Sequence, residues 1–152
     1  MMLDFLDDPE ANGARWLKFG GLQTLASFGV GHRGSQDFAE TGANLAKAMG
    51  PDLIAWMRGL PLQWESGNVA VVHASANPLQ PMDNQTEQTL QWGHPAFFDL
   101  PRTDGIWVLH GHTIVDQATA ERGRIAVDTG AYATGTLTAA YVTENGVRFL
   151  SS

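Results

Sequence analysis

The feature that most constrains the fold is a set of three short, mainly apolar runs, each followed at once by a histidine or an aspartate. Continuous apolar runs of this length are typical of strands that are covered on both faces. Side chains that leave several strand ends on the same side of a sheet converge there, and layered α/β proteins build their sites at that edge. The sequence therefore predicts a sheet whose strand ends carry a functional site. The runs are 69–72, 106–109 and 124–127, and the residues that follow them are His73, His110 and Asp128.

The chain changes character near residue 60. Residues from 1 to about 60 are predicted to be helical and residues from about 61 to 152 strand-rich, within a single α+β domain. The clearest helix begins at Pro51, because proline suits the first helical position. A weaker helix over 35–50 is expected to be interrupted at Gly42.

Two turns are predicted in the strand-rich part. Residues 65–68 join a strand to the apolar run 69–72. Asn145 and Gly146 join the last two strands, and their composition favours a type I′ turn.

Composition and charge exclude several classes of function. The formal net charge is -7 and no basic cluster offsets it, which argues against nucleic acid as a partner. Cysteine is absent, so only histidine, carboxylate and amide side chains remain as strong metal ligands. The acidic N-terminus does not resemble a signal peptide, and no apolar stretch is long enough to span a membrane, so we expect a cytoplasmic protein.

The two histidines around Gly111 allow more than one interpretation. On a regular strand His110 and His112 would face the same way, as a metal-binding pair does in a cupin barrel. Gly111 would also permit the chain to turn, in which case only one ring points at the site and Thr113 supports it. His94 is predicted to be a loop residue packed on aromatic rings, and His32 to be solvated.

Four segments of the chain resemble a known family. VVHASANP, VLHGHT and RIAVDTGAYATGTLTA occur in this order and with the spacing found in the C-terminal half of the calcineurin-like metallophosphoesterases. The bacterial serine/threonine protein phosphatase and diadenosine tetraphosphate hydrolase group is the most similar. WLKFGGLQTLASFGV also resembles a segment of that group, so the likeness covers nearly the whole chain.

The resemblance implies the C-terminal half of a four-layer α-β-β-α sandwich with two divalent metal ions, manganese being expected and iron or zinc the alternatives. A hydroxide that bridges the metals would attack the phosphorus of a phosphoprotein, a dinucleoside polyphosphate or a small phosphate ester. By position, His73 and His112 would be ligands of the second metal. His110 and Asp128 would act at the catalytic centre, His110 as a neighbour of the metals and Asp128 by fixing the local loop.

The sequence also departs from the family. Three motifs of the family are not found, namely Gly-Asp-x-His, Gly-Asp-x-x-Asp-Arg-Gly and Gly-Asn-His-Glu. In the family they supply the ligands of the first metal and the bridging aspartate. In addition, Trp92-Gly93-His94 replaces the usual Trp-Ile-Arg. We therefore expect a phosphoesterase of which this chain is the C-terminal part, inactive alone and completed by an N-terminal half or by self-association. A non-catalytic remnant or interaction module with the same fold is the alternative. A cupin-like barrel is disfavoured because such barrels are nearly all strand.

Overall fold

The structure is a computed structural model that describes residues 1–34 and 37–152, and it contains two compact units, Met1–Leu60 and Pro61–Ser152. Every helix of the first unit precedes the first strand, and all strands of the described residues lie in the second unit. The boundary between the units coincides with the predicted change from helical to strand-rich sequence. The assignment of both units to one domain stays a prediction.

The helical unit is organised around buried aromatic side chains. The rings of Phe5 and Trp16 stack with centroids 4.4 Å apart, and Phe38 meets Phe5 edge-on at 6.5 Å. Among the described residues no helix has both the length and the apolar character needed to cross a bilayer. The helices are α1 (Met2–Asp7), α2 (Pro9–Trp16), α3 (Leu22–Ser27), α4 (Phe38–Met49) and α5 (Pro51–Arg58).

The prediction that Gly42 interrupts its helix is wrong. α4 continues through Gly42, which is buried, and a β-carbon placed there would lie 2.8 Å from Cγ of Pro9. Gly42 is therefore a point of close approach between helices rather than a helix breaker. Two residues of the predicted 35–50 segment, Ser35 and Gln36, lie outside the described residues. The prediction that a helix begins at Pro51 is confirmed.

The strand-rich unit contains a mixed five-stranded sheet. Its three inner strands run parallel to one another and both edge strands are antiparallel to their neighbours, in the order β1-β2-β3-β5-β4. The last two strands form a separate hairpin. The strands are β1 (Gln63–Ser66), β2 (Val69–Val72), β3 (Trp107–His110), β4 (Thr119–Glu121), β5 (Arg124–Ala126), β6 (Thr138–Thr143) and β7 (Gly146–Ser151), and the helices are α6 (Glu87–Trp92) and α7 (Ala131–Thr134).

One face of the five-stranded sheet carries the core of this unit. Ala70, Val72 and Val108 point to that face and pack with Leu90 of α6 and with Phe97. The alternate residues of the same strands are half-buried. On that second side, a cavity of about 510 Å³ is lined by residues of β1, β2 and β3 and of the β6–β7 hairpin. The alternation of buried and half-buried residues fixes which side chains reach the core.

The type I′ turn predicted at Asn145–Gly146 is wrong in position. Thr143 pairs with Gly146, and of the residues at this corner only Gly146 has a positive φ, of 130°. A type I′ turn requires positive φ at both central residues. That condition is met between β4 and β5, where Arg122 and Gly123 have φ values of 51° and 76°.

Candidate metal centre

The residues singled out by the sequence lie together at the carboxyl ends of the three parallel strands. His73 follows β2, His110 ends β3, and Asp128 comes two residues after β5. These strands are neighbours, with Val71 opposite Leu109 and His110 opposite Ala126. Parallel pairing puts all three carboxyl ends at one edge of the sheet, which is the predicted position of the site.

His73 and His112 form the centre of this group. Their ring centroids are 5.1 Å apart and their planes are inclined at 60°. Both side chains are exposed, so a solute reaches them from the surface. The indole of Trp92, the last residue of α6, stands nearly perpendicular to the His112 ring at 6.1 Å and forms one wall beside the pair.

The chain reverses direction at His112 in an unusual conformation. His112 has a φ of 64°, and the N–H of Thr113 donates to the carbonyl of Gly111 at 2.7 Å. A hydrogen bond from residue i+2 to residue i around a positive φ defines a γ-turn of the rare, strained kind. Strain of this sort persists only where the surrounding structure maintains it, and it is concentrated at functional sites. The turn therefore occurs at His112 and not at Gly111, where the sequence analysis placed it.

Backbone contacts hold the strand ends in place beneath the two rings. The N–H of Gly111 donates to the carbonyl of His73 at 2.9 Å, which ties β2 to the turn after β3. The side chain of Asp128 accepts a hydrogen bond from the N–H of Gly130 at 3.0 Å, and its backbone carbonyl accepts one from Val115 at 2.9 Å. A β-carbon on Gly111 would lie 3.7 Å from Oδ2 of Asp128, so the carboxylate stands directly beside the turn. The loop-fixing role that the resemblance implies for Asp128 stays a prediction.

The surroundings lower the pKa of two of the histidines. For His73, the main cause of the lowered pKa is that neighbouring atoms shield part of its imidazole from water; the charge of His112 adds to the effect and Asp128 opposes it. For His110, burial is the main cause of the lowered pKa, while its hydrogen bond to Gly111 opposes the shift. Both shifts favour the neutral ring, which is the form of imidazole that binds metals.

His110 does not share the orientation of His112. Its side chain is only 1% exposed, and its ring packs edge-on against Phe97 at 4.9 Å and Phe98 at 5.8 Å. Of the two interpretations of this pair, the common orientation on a regular strand is excluded. The chain turns between the two imidazoles, as the second interpretation allowed, and the γ-turn at His112 separates them. The His110 side chain is packed against two phenyl rings, and the role at the catalytic centre that the resemblance implies for it stays a prediction.

The other histidines lie outside this group. Nδ1 of His94 accepts the N–H of Ala96 at 3.2 Å and so caps a short turn of helix, while its predicted packing on aromatic rings stays a prediction. His32 belongs to the helical unit, where its ring stacks on Phe38 at 5.2 Å and its Nδ1 lies 3.0 Å from Oγ1 of Thr41. It is half-buried, so the prediction of a solvated His32 is wrong.

The sequence analysis named Trp92 only as part of a departure from the family pattern and did not identify its contact with His112. Its contact with His112 depends on where α6 ends relative to the γ-turn. The only signal in the sequence is Gly93, which has a φ of 106° and terminates α6 at the tryptophan.

The geometry of the pair fits one shared cation, but the described residues do not complete a metal site. Two imidazoles on a tetrahedral metal with metal–nitrogen bonds of about 2.0–2.1 Å have ring centres roughly 5 Å apart. Within residues 1–34 and 37–152, however, no group of three histidine, aspartate or glutamate side chains is arranged to hold a metal ion. A catalytic site normally needs at least three protein ligands, so the two-metal centre implied by the resemblance does not fit these residues alone.

Comparison with known proteins identifies the fold but no family. No protein-family model matches the sequence, and no curated protein matches it. A solved structure named "Crystal structure of a putative diadenosine tetraphosphatase" is similar to this chain, with a TM-score of 0.55 and 23% sequence identity. The similarity covers 88% of this chain and 72% of that chain. A likeness at this level of identity concerns the fold and leaves the chemistry to be argued from the site.

Proposed function

We propose that this chain carries part of the active site of a metal-dependent phosphoesterase, within the four-layer sandwich of that class. His73 and His112 would share one divalent cation, with manganese expected and iron or zinc as alternatives. The substrate would be a phosphoprotein, a dinucleoside polyphosphate or a small phosphate ester. The similarity to a solved structure of related fold supports the architecture, and the site geometry supports the chemistry.

The observation that carries the proposal is the 5.1 Å separation of the His73 and His112 rings at the ends of adjacent parallel strands. The two residues are far apart in the sequence and come from separate strands, so the chain places them together through the sheet. Both are exposed, and the pKa of His73 is lowered, which keeps that imidazole available as a ligand at neutral pH.

The charge of the chain explains why a cation is needed. With a formal net charge of -7, the protein repels a phosphate ester at long range. Arg124, the first residue of β5, donates to the carbonyl of Phe97 at 2.7 Å, so its guanidinium already has a structural partner. A bound divalent cation supplies the positive charge that neutralises phosphoryl oxygens. The residues of this chain would contribute the binding and orientation of that charge, because His73 and His112 would hold the cation and Asp128 would support the loop.

The number of ligands sets an expectation for activity. Two imidazoles cannot by themselves hold two metals about 3.5–4 Å apart. The remaining ligands have to come from a further polypeptide segment or from a partner chain. We therefore expect the chain by itself to hydrolyse phosphate esters very slowly or not at all.

Cation binding tests the proposal directly. Titration of the chain with Mn²⁺ and Co²⁺, followed by calorimetry and by the visible absorption of cobalt, should give one site. His73→Ala and His112→Ala should each weaken binding by about tenfold or more, because each removes one of two ligands. His32→Gln is the matched control, since His32 lies in the helical unit, and it should bind as the parent chain does.

Two results would count against the proposal. Cation binding that is unchanged in both His73→Ala and His112→Ala would place the metal elsewhere. A complete absence of binding would favour the non-catalytic alternative with the same fold. An aryl phosphate assay in the presence of manganese tests the ligand count separately, because strong, chelator-sensitive turnover by the chain alone would show that the site is complete.

A further inference from the structure

His110 is a buried, titratable side chain that the proposed function does not use. It ends β3 and is 1% exposed, and its ring is bounded by Phe97 and Phe98. Burying a polar ring in this way is unfavourable unless the ring makes a hydrogen bond. A phenylalanine would fill the same space without that requirement, so the polar atoms of His110 call for an explanation.

The hydrogen bond that His110 makes is to the peptide group just ahead of His112. Nδ1 of His110 lies 3.2 Å from the carbonyl oxygen of Gly111. Because a carbonyl only accepts, Nδ1 carries the proton and donates it. The same oxygen accepts the N–H of Thr113 at 2.7 Å. The carbonyl of Gly111 is therefore held by two donors, one from each side of the γ-turn.

The orientation of that peptide group decides where the His112 ring points. The positive φ of His112, 64°, is measured from the peptide that contains the Gly111 carbonyl. Rotating that carbonyl away would break the γ-turn and return His112 to an ordinary conformation with its ring elsewhere. The N–H of Gly111 is also engaged, because it donates to the carbonyl of His73.

We propose that His110 is a positioning residue for His112. Its Nδ1–H group holds the Gly111 carbonyl in the orientation that the γ-turn requires, and so directs the His112 imidazole toward His73. The meaning of this role for metal binding rests on the proposed function, whereas the role itself rests on the hydrogen bond and the turn.

The position of the His110 ring is itself maintained by neighbouring groups. Arg124 donates to the carbonyl of Phe97 at 2.7 Å, and its guanidinium lies over the Phe97 ring at 5.8 Å from the centroid. Phe97 is 1% exposed and belongs to the core cluster of the sheet. A ring that is fixed on the face of such a side chain has little freedom to rotate its Nδ1 away from the Gly111 carbonyl.

The first test needs no metal. In the chelator-treated chain, the ¹⁵N chemical shifts of the His110 ring should show a neutral imidazole with the proton on Nδ1. The amide of His112 should show the strong intraresidue contact to Hα that a positive φ produces. A proton on Nε2 of His110 would overturn the proposal, whatever the chain does with metals.

Two substitutions separate the hydrogen bond from the packing. His110→Phe keeps an aromatic ring between Phe97 and Phe98 but removes the donor, whereas His110→Asn keeps an N–H donor near the position of Nδ1 and loses the ring. We expect the positive-φ signature of His112 to disappear in His110→Phe, although that variant should unfold at an unchanged or higher denaturant concentration. The positive-φ signature of His112 should persist in His110→Asn, although that variant should unfold at a lower denaturant concentration than the parent chain. If the signature instead persists in His110→Phe and disappears in the less stable His110→Asn, the turn follows stability, and His110 contributes only packing.

Cation affinity gives the link to the proposed function. His110→Phe should bind Co²⁺ about tenfold more weakly than the parent chain, and His110→Asn should bind with nearly parental affinity. Parental affinity in His110→Phe would contradict the positioning role. If the parent chain binds no cation, the proposed function fails, and the positioning role is then decided by the proton location and the His112 conformation alone.

Discussion

The imidazole of His73 meets that of His112 edge to face at 5.1 Å, although one residue follows β2 and the other follows β3. Parallel pairing of Val71 with Leu109 brings the two strand ends level, and the hydrogen bond from Gly111 to His73 ties them together. The charge of His112 disfavours protonation of His73, because two positive charges at this distance repel. The pair is therefore both a candidate ligand set and an element of the molecule that is sensitive to pH.

We expect the metal-free chain to lose stability as the pH falls below about 7. The pKa values of His73 and His110 are both lowered in the folded state, in each case mainly by loss of hydration. The unfolded chain has histidine pKa values of about 6.5. As the pH falls below about 7, the unfolded chain therefore binds more protons than the folded one, and the free energy of unfolding decreases. Urea unfolding at several pH values between about 5 and 8, with a chelator present, measures this.

Substitution identifies the groups responsible. His73→Gln should reduce the pH dependence of unfolding, and His110→Phe should reduce it as well. Asp128→Asn should move the pKa of His73 further down, because the carboxylate raises it in the parent chain. An unfolding curve that is independent of pH, or a His73 pKa that rises in Asp128→Asn, would contradict the assignment.

The γ-turn predicts opposite effects for two substitutions at His112. A left-handed conformation costs an L-residue about 1–2 kcal/mol, whereas glycine adopts it freely and loses about 0.5–1 kcal/mol through backbone entropy. His112→Gly should therefore leave the free energy of unfolding unchanged or raise it by up to about 1 kcal/mol, even though it removes a proposed ligand. His112→Val should lower it by roughly 1–3 kcal/mol, because a β-branched residue fits this conformation poorly. Denaturant unfolding of both variants measures the difference, and equal stability of the two would be evidence against the turn.

Gly42 should resist the substitution that usually stabilises helices. Replacing a helical glycine by alanine normally adds about 0.5–1 kcal/mol, but a β-carbon here would lie 2.8 Å from Cγ of Pro9. We expect Gly42→Ala to lower the free energy of unfolding by about 1–3 kcal/mol through overpacking. Gly59→Ala is the control, because the nearest atoms to its β-carbon would be backbone oxygens at an ordinary 3.6 Å. If Gly42→Ala unfolds at a higher temperature than Gly59→Ala, the close approach between Gly42 and Pro9 is refuted.

Arg102 should be irreplaceable as an anchor of the loop that follows His73, which it contacts from a later segment of the chain. Its side chain is 5% exposed and donates to the carbonyls of Asn77 and Gln80, both at 3.0 Å, while also pairing with Asp104. Lysine lacks the planar fork, so Arg102→Lys cannot keep both carbonyl hydrogen bonds and the paired contact with Asp104, although Gln85 still donates to the two carbonyls. We expect this substitution to lower the free energy of unfolding by about 1–3 kcal/mol.

The control for Arg102 is Arg148, which is exposed and lies over the ring of Tyr141. Arg148→Lys should change the free energy of unfolding by less than about 0.5 kcal/mol. Hydrogen exchange should accelerate around Asn77 and Gln80 in Arg102→Lys only. Parental exchange rates in that loop would show that the arginine contributes charge but no positioning.

Elements with a strong local signal could be predicted from the sequence. The apolar runs at 69–72 and 106–109 correspond to β2 and β3, and the helix beginning at Pro51 follows from proline's fixed φ. β4 could not be predicted in the same way, because it has only three residues, which are exposed or half-buried, and an alternation over three residues is too short to indicate a strand. It exists because the type I′ turn at Arg122 and Gly123 folds it back onto β5.

The amino-acid sequence by itself determined which residues end the buried strands, because apolar run length and the residue that follows are local properties. It thereby located His73, His110 and Asp128 at one edge of a sheet. Only the tertiary structure decided that His110 and His112 point to different surroundings. That outcome depends on a positive φ of 64° at His112, on two donors to the Gly111 carbonyl, and on phenyl rings contributed by a distant segment. A conformation stabilised by contacts that are remote in the chain leaves no pattern in the residues around it.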